Sequence, residues 1–317
     1  MDESVSTGSN RGARGGRAWE LGNGRRVDLS EPRIMAIVNV TPDSFHAESR
    51  TPGVEAAVER CRLAVRAGAD LIDLGGESTR PGAERVPPDE QIARLEPVVR
   101  AIRGDAELRD LPISIDTTRA EVAWACLEAG ADAINDVAAG TEDEEMLTLA
   151  GERGCGLILM HRLADPTRDS YSDRYAVEPS YADVVAEVGG FLRARAAAAE
   201  RAGVRRGAIL IDPGLGFGKT VGQNLELIAR TGELASTAGG GYGVLSAASR
   251  KSFVGRASLG RESTPEERLA GSIAASVLHL SAGARVFRVH DPGPQGEALR
   301  LAWRVLGAGD APSGRGG

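Results

Sequence analysis

Lysine is nearly missing from this chain of 317 residues: of 38 basic side chains only Lys219 and Lys251 are not arginine. The 45 carboxylates outnumber the cations and leave a net charge of −7. That excludes the broad basic face with which a nucleic-acid reader displaces counterions, so small molecules are the expected partners, with no nucleic acid. Cysteine is scarce too. Cys61, Cys126 and Cys155 are odd in number and contain no CxxC pair, which excludes a disulfide framework or a zinc ribbon and points to a reducing, cytoplasmic setting. No stretch approaches the roughly 18 consecutive apolar residues of a spanning helix, and the N-terminus lacks the apolar run of a secretory signal. No membrane is expected. Aromatic residues make up only 4% of a chain that is 42% hydrophobic, so the core must be built from Ala, Val, Leu and Ile rather than from rings.

What is present is a strict alternation. Short apolar runs at 34–40, 70–76, 113–117, 133–137, 156–161, 208–214, 242–249 and 285–291 are each followed by a longer amphipathic segment. Most runs lack a clean period of two, as parallel strands buried on both faces do. The helical segments fall at about 53–67, 89–102, 119–129, 143–152, 179–202, 221–235, 265–282 and 293–306. Eight strand–helix units predict an α/β fold, one closed (β/α)8 TIM barrel over residues 33–306. An open doubly wound sheet is the alternative, but no dinucleotide turn follows an early strand. Residues 1–32, rich in Gly, Arg and Ser, read as a disordered N-terminal tail, and 307–317 as a flexible C-terminal one.

In such a barrel the chemistry sits where strands end. Those exits carry Asn39, Asp116, Asn135, Met160, His161, Asp212, Lys219, Lys251, Arg288 and His290. A lone Asp after a strand is more often a turn former than a functional group, and Asp116 or Asp291 could be only that. Asp212 lies inside the apolar run ILIDPG, where an unpaired carboxylate is costly. Asn135 shares the problem, and together with Asp116 and Asp212 it makes a wall suited to the edge of a flat polar heterocycle. GLGFGKT imitates a phosphate-binding loop, but its template needs glycine where Pro213 stands. No HExxH occurs, and only two of four histidines, His161 and His290, lie at exits, so zinc is not expected. Arg288 and His290 alternate on the last strand and face one way, which suits a phosphate, with Asn39 and Asp43 offering oxygens to Mg2+.

Taken together, MAIVNVTPDSF (35–45), DLGGESTRPGA (73–83), SIDT (114–117), AINDV (133–137), ILIDPGLGFGK (209–219), SRKSFVG (249–255) and RVHD (288–291) resemble the dihydropteroate synthases. The resemblance implies condensation of 6-hydroxymethyl-7,8-dihydropterin diphosphate with p-aminobenzoate in folate biosynthesis, with release of diphosphate. It also implies roles. Asp116, Asn135, Asp212 and Lys251 would form the pterin pocket, with Met160 and Phe217 beside it. Asn39, Arg288 and His290 would hold the diphosphate, Asn39 and Asp43 the Mg2+. Phe45, Thr79, Arg80, Pro81 and Ser252 would meet p-aminobenzoate, and Asp212, Lys251 and Arg288 would carry the catalysis. A homodimer is implied as well.

Three segments depart from the family's usual run. His46-Ala47-Glu48-Ser49-Arg50 replaces a Ser-Asp-Gly-Gly stretch, Arg162-Leu163-Ala164 opens a polar insert through Tyr175, and Ala247 stands where glycine is frequent. None removes a residue assigned to chemistry. A catalytically weakened pterin-binding paralogue, and a methyltransferase passing a methyl group from a reduced folate to a corrinoid partner, are the alternatives.

Overall fold

The computed structural model describes residues 18–40, 52–235 and 241–308. Two short strands, β1 (Ala18–Glu20) and β2 (Arg26–Asp28), precede eight more. These are β3 (Arg33–Asn39), β4 (Leu71–Gly75), β5 (Ile113–Asp116), β6 (Ala133–Asp136), β7 (Gly156–Met160), β8 (Ile209–Asp212), β9 (Gly243–Ser246) and β10 (Val286–Val289). They close a barrel in the order β10-β3-β4-β5-β6-β7-β8-β9, every neighbour parallel. Parallel closure leaves no strand edge exposed, and helices packed outside bury the second face of each strand. The eight expected helical segments correspond to α1 (Pro52–Arg66), α2 (Pro88–Gly104), α3 (Ala120–Glu128), α4 (Glu145–Arg153), α5 (Val184–Arg201), the pair α6 (Val221–Ala229) and α7 (Thr231–Ala235), α9 (Leu269–Ala282) and α10 (Pro292–Ala308). Between α7 and α9 lies a helix the sequence pattern hides, α8 (Ser252–Leu259). It opens in the SRKSFVG run, so Ser252 begins a helix instead of sitting in a loop.

Side chains alternate across a strand, so residues two apart enter the barrel at successive heights. Met35, Leu71, Ala133, Ile158, Leu210, Leu245 and Val286 pack into an apolar cluster, to which β5 adds the buried Ser114. Two residues further along the same strands stand Asp73, Asn135, Met160, Asp212 and Arg288, joined by Asp116 from β5. One step of the pleat therefore converts a mostly apolar floor into an ionised chamber that opens at the carboxyl ends of the strands.

The expected disordered tail over 1–32 does not hold for residues 18–32. β1 and β2 pair antiparallel as a hairpin beneath the floor, turning through Asn23 and Gly24, both at positive φ. Trp19, Leu21, Val27 and Leu29 join the apolar cluster, and the Trp19 indole donates to the Ala208 carbonyl at 2.8 Å. Four such side chains contribute roughly 1.5–3 kcal/mol each when fully buried, enough to oppose the ordering entropy of a short hairpin. Gly156 makes room: a Cβ there would stand 2.7 Å from Leu21 and 2.9 Å from Trp19. The hairpin is also pinned by charge. Asp132, fully buried, accepts from Arg25 at 2.9 Å, Arg103 at 2.6 Å and the Ile113 amide at 2.9 Å. At the other end α10 runs to Ala308, two residues beyond the expected limit of the barrel at 306.

Candidate active site

The chamber is organised by one guanidinium. Arg288 on β10 donates through Nε to Asp73 Oδ2 and through Nη2 to Asp116 Oδ2, both at 2.6 Å. Asn135 adds a bond from Nδ2 to the same Asp73 oxygen at 3.1 Å. The register makes this possible, since Gly75 pairs with Asp116 and Asp116 with Asn135. Asp73 Oδ1 and Asp116 Oδ1 are buried without a partner. Burial pushes the Asp116 carboxyl up to about 7; Arg288 pulls it down, while Asp73 adds to the rise. Desolvation likewise opposes the charge on Arg288, but Asp73 and Asp116 hold that group above the usual arginine range. Two unpaired carboxylate oxygens at the base of an open chamber are acceptors waiting for donors.

Opposite them stand Asp212 on β8 and Lys251, the residue that caps α8. Asp212 Oδ1 accepts from the Gly214 amide at 2.7 Å, and burial raises its carboxyl while Lys251 opposes the rise. Burial lowers Lys251 to about 8, with Asp212 pulling it back up. The Lys251 ammonium donates to the Leu215 carbonyl and lies 4.4 Å from the centre of the Phe217 ring. Phe217 in turn packs with Met160 and Val137. The glycines of GLGFGK fit this arrangement. Gly214 and Gly216 both hold positive φ, and a Cβ on Gly214 would run into the His161 carbonyl oxygen, one on Gly216 into the Lys251 stem at 3.0 Å.

Lys219, the second lysine, faces inward to the protein rather than to the chamber. It is fully buried, with its ammonium 3.0 Å from His161 Nδ1 and donating to the carbonyls of Gly214 at 3.0 Å and Phe217 at 2.8 Å. Burial lowers it to about 7 and lowers His161 to about 3, which leaves the imidazole neutral. This pair fastens the glycine turn to the end of β7.

The structure places Asp116, Asn135, Met160, Asp212, Phe217 and Lys251 around one chamber, and sets among them Arg288, which the sequence pattern grouped with Asn39 and His290 instead. It does not join Arg288 to His290 in one phosphate grip. The guanidinium is taken by two carboxylates, and His290 lies exposed with its ring Nδ1 and its amide both 3.2 Å from Ser249 Oγ. Asn39 is half-buried at the β3 exit. Thr79 and Pro81 are half-buried and Arg80 exposed on the loop after β4, and Ser252 is buried at the start of α8. Asp43 and Phe45 lie outside the described residues. Asp73 is the residue the sequence reading missed; its signal was a carboxylate inside the strand DLIDLGG, on the face that fills the barrel.

Similarity to known proteins agrees with this geometry. The family model described as pterin binding enzyme matches residues 35–290. The dihydropteroate synthase of Neisseria meningitidis serogroup C is 38% identical over 291 residues, 91% of this chain and 97% of that protein. The probable bifunctional folylpolyglutamate synthase/dihydropteroate synthase of Haloferax volcanii is 43% identical over 269 residues, 85% of this chain but 30% of that longer protein. Among solved structures, Xanthomonas albilineans dihydropteroate synthase with 4-aminobenzoic acid superposes with a TM-score of 0.81 at 40% identity, covering 93% of this chain and 99% of that one. With the family model spanning the barrel from β3 to the residue after β10, and relatives of this identity aligned over most of its length, the chain belongs to the pterin-binding enzymes.

Proposed function

We propose that the chain is a transferase with dihydropteroate synthase activity, condensing 6-hydroxymethyl-7,8-dihydropterin diphosphate with p-aminobenzoate to 7,8-dihydropteroate and releasing diphosphate. The observation that carries this reading is the chamber of Asp73, Asp116, Asn135, Asp212, Lys251 and Arg288, all from strand ends or the turns just beyond. Its acceptors match the amino and imino donors along one edge of a pterin, and the Lys251 ammonium can donate to the ring's acceptor side. Asp212 then favours positive charge spread from the pterin ring to its exocyclic methylene as the C–O bond to diphosphate breaks. The three carboxylates outnumber the two cations, so the chamber as a whole suits a cationic transition state. The arylamine nitrogen, already neutral at pH 7, forms the new C–N bond and loses its proton to solvent or to the departing phosphate, so no strong base is required. Thr79, Arg80, Pro81 and Ser252, with Phe45, would line the p-aminobenzoate side and exclude water that competes for the cation.

Asn39 and His290, at the exits of the adjacent strands β3 and β10, are assigned to the diphosphate; Arg288, engaged by Asp73 and Asp116 below them, would reach it only by giving up one of those carboxylates. Among the described residues no group of three or more His, Cys, Asp or Glu could hold a metal alone. Mg2+ takes only one or two protein oxygens and completes its shell with water and phosphate, and the half-buried Asn39 amide at the β3 exit offers one such oxygen. Asn39 and Asp43 would hold it, and it would supply charge neutralisation to the leaving diphosphate. Three unpaired buried cysteines accord with a reducing, cytoplasmic setting. An exposed apolar stripe of Leu278, Leu301, Val305 and Leu306 on α9 and α10 supports a homodimer. Isothermal titration tests the ordered chemistry: p-aminobenzoate should bind only when a pterin and Mg2+-diphosphate are present. Binding that ignores both ligands would remove the proposed order.

A further inference from the structure

The loop after β4 and the polar insert after β7 are far apart in sequence yet fastened to each other. Arg85 stands where three carboxylates from three elements converge: Glu77 from its own loop at 3.3 Å, Glu142 from the segment after β6, and Asp165 from the insert. Arg162, also in the insert, pairs with Glu142 as well. The two segments share a backbone bond, the Gly82 amide donating to the Pro166 carbonyl at 2.9 Å. Glu77 turns back to accept from Gln91 Nε2 at 2.8 Å, which closes the loop on the first turns of α2.

The insert then continues across the rim to the glycine turn. Asp169 accepts from the Gly218 amide at 2.9 Å and from the Tyr175 hydroxyl at 2.6 Å. Leu163 packs directly on Gly218, where no Cβ could fit. Ser172 accepts from Asn224, whose own Oδ1 accepts from the Gly216 amide at 2.7 Å. The insert is therefore a strap with one end on the loop carrying Thr79, Arg80 and Pro81 and the other on the turn that seats Lys251.

We infer that Arg85 is a positioning residue: through Asp165 and Glu142 it holds the 77–86 loop against the strap, and so sets the affinity for the second substrate, the aromatic amine. The inference rests on the proposed activity for its substrate and on geometry alone for the latch. Exposed ion pairs are worth little. Here, however, Glu77, Glu142 and Asp165 keep only 13%, 19% and 20% of their side-chain surface, so each pair acts in a partly desolvated site where charge counts for more. A Met in place of Arg85 fills similar space and leaves three carboxylates facing one another, with Arg162 paired to Glu142 and Arg119 acting on Glu77 as the remaining cations. Repulsion among the carboxylates would part the loop from the strap.

Two measurements separate the latch from the activity. Hydrogen exchange in the substrate-free protein reads the latch: Arg85→Met should accelerate exchange in 77–86 and 162–175 at least tenfold and leave β3–β10 unchanged. Steady-state kinetics reads its consequence: KM for p-aminobenzoate should rise about tenfold, with kcat within twofold and pterin affinity by titration unchanged. Arg85→Lys should recover part of the KM. Asp165→Asn keeps the oxygen that accepts from the Thr167 amide and should move both readouts the same way, adding little to Arg85→Met. If Arg85→Met fails to fold, Asp165→Asn and Arg85→Lys carry the test. Unchanged exchange in the two segments overturns the latch. Faster exchange with an unchanged KM overturns its role in substrate binding. A wild-type protein that forms no dihydropteroate, yet shows the exchange effect, overturns the proposed activity and leaves the latch standing.

Discussion

Arg288→Met isolates the electrostatics of the chamber. Arg288 is the shared donor to Asp73 and Asp116, each at 2.6 Å, and its removal leaves two buried carboxylates side by side. Breaking a buried pair by deleting one partner costs about 3–5 kcal/mol, and that loss is expected in chemical denaturation at pH 8. The pH dependence is the sharper test. Without the guanidinium that pulls it down, the Asp116 carboxyl rises further in the folded state, while its unfolded counterpart releases the proton near the ordinary aspartate pKa. A folded state that binds more protons than the unfolded one loses stability as pH rises, by about 1.4 kcal/mol per unit for one proton. The wild type shares part of that slope, since burial already lifts Asp116 to about 7, and between pH 6 and 8 it holds on average half a proton. The gap between variant and wild type should therefore widen from pH 6 to 8, by at most about 1.4 kcal/mol, half of the two-unit value. A gap that is constant or that narrows with rising pH would mean that Arg288 does not hold these two carboxylates ionised, as would a loss below about 1 kcal/mol at pH 8.

Asp212→Asn should lower kcat by roughly a hundredfold, about 2.7 kcal/mol, with KM for the pterin substrate within threefold, because its charge matters most when the methylene becomes cationic; steady-state kinetics decides it. Pterin affinity should weaken as pH falls below about 7, where Asp116 takes up a proton and loses acceptor capacity, and titration of Asp116→Asn should show that dependence flattened. Lys219→Met, which orphans the Gly214 and Phe217 carbonyls, should destabilise by at least about 3 kcal/mol in denaturant. Trp19→Ala should cost about 3–5 kcal/mol, with kcat preserved at temperatures where the barrel stays folded.

The barrel was legible because parallel strands buried on both faces print a run of Ile, Val and Leu, and each run here is followed by an amphipathic helix. The β1–β2 hairpin was not. Its Trp19, Leu21, Val27 and Leu29 alternate around Asn23-Gly24, a turn signal diluted by the surrounding arginine and glycine. For the site, the pleat puts Arg288 and His290 on one side of the strand, but it does not name the partner that each meets. The carboxylate that meets Arg288, Asp73, lies 215 positions away. Lys219 was legible as a residue at a strand exit, whereas its burial on carbonyl oxygens depends on how Gly214 and Gly218 fold back, which spacing alone cannot convey. The strap over 162–175 was visible only as a departure from the usual family run; its function as a tie emerges from Arg85, which no motif contains.

If this chamber joins a dihydropterin diphosphate to an arylamine, both products must appear together. The most direct measurement is product formation by the purified protein, followed as 7,8-dihydropteroate and diphosphate in equal amounts, with and without Mg2+. Both should form in equal amounts, only with Mg2+ present, and both should fall sharply in Asp212→Asn. Tight pterin binding by the folded protein with no dihydropteroate formed under any of these conditions would contradict the proposed activity.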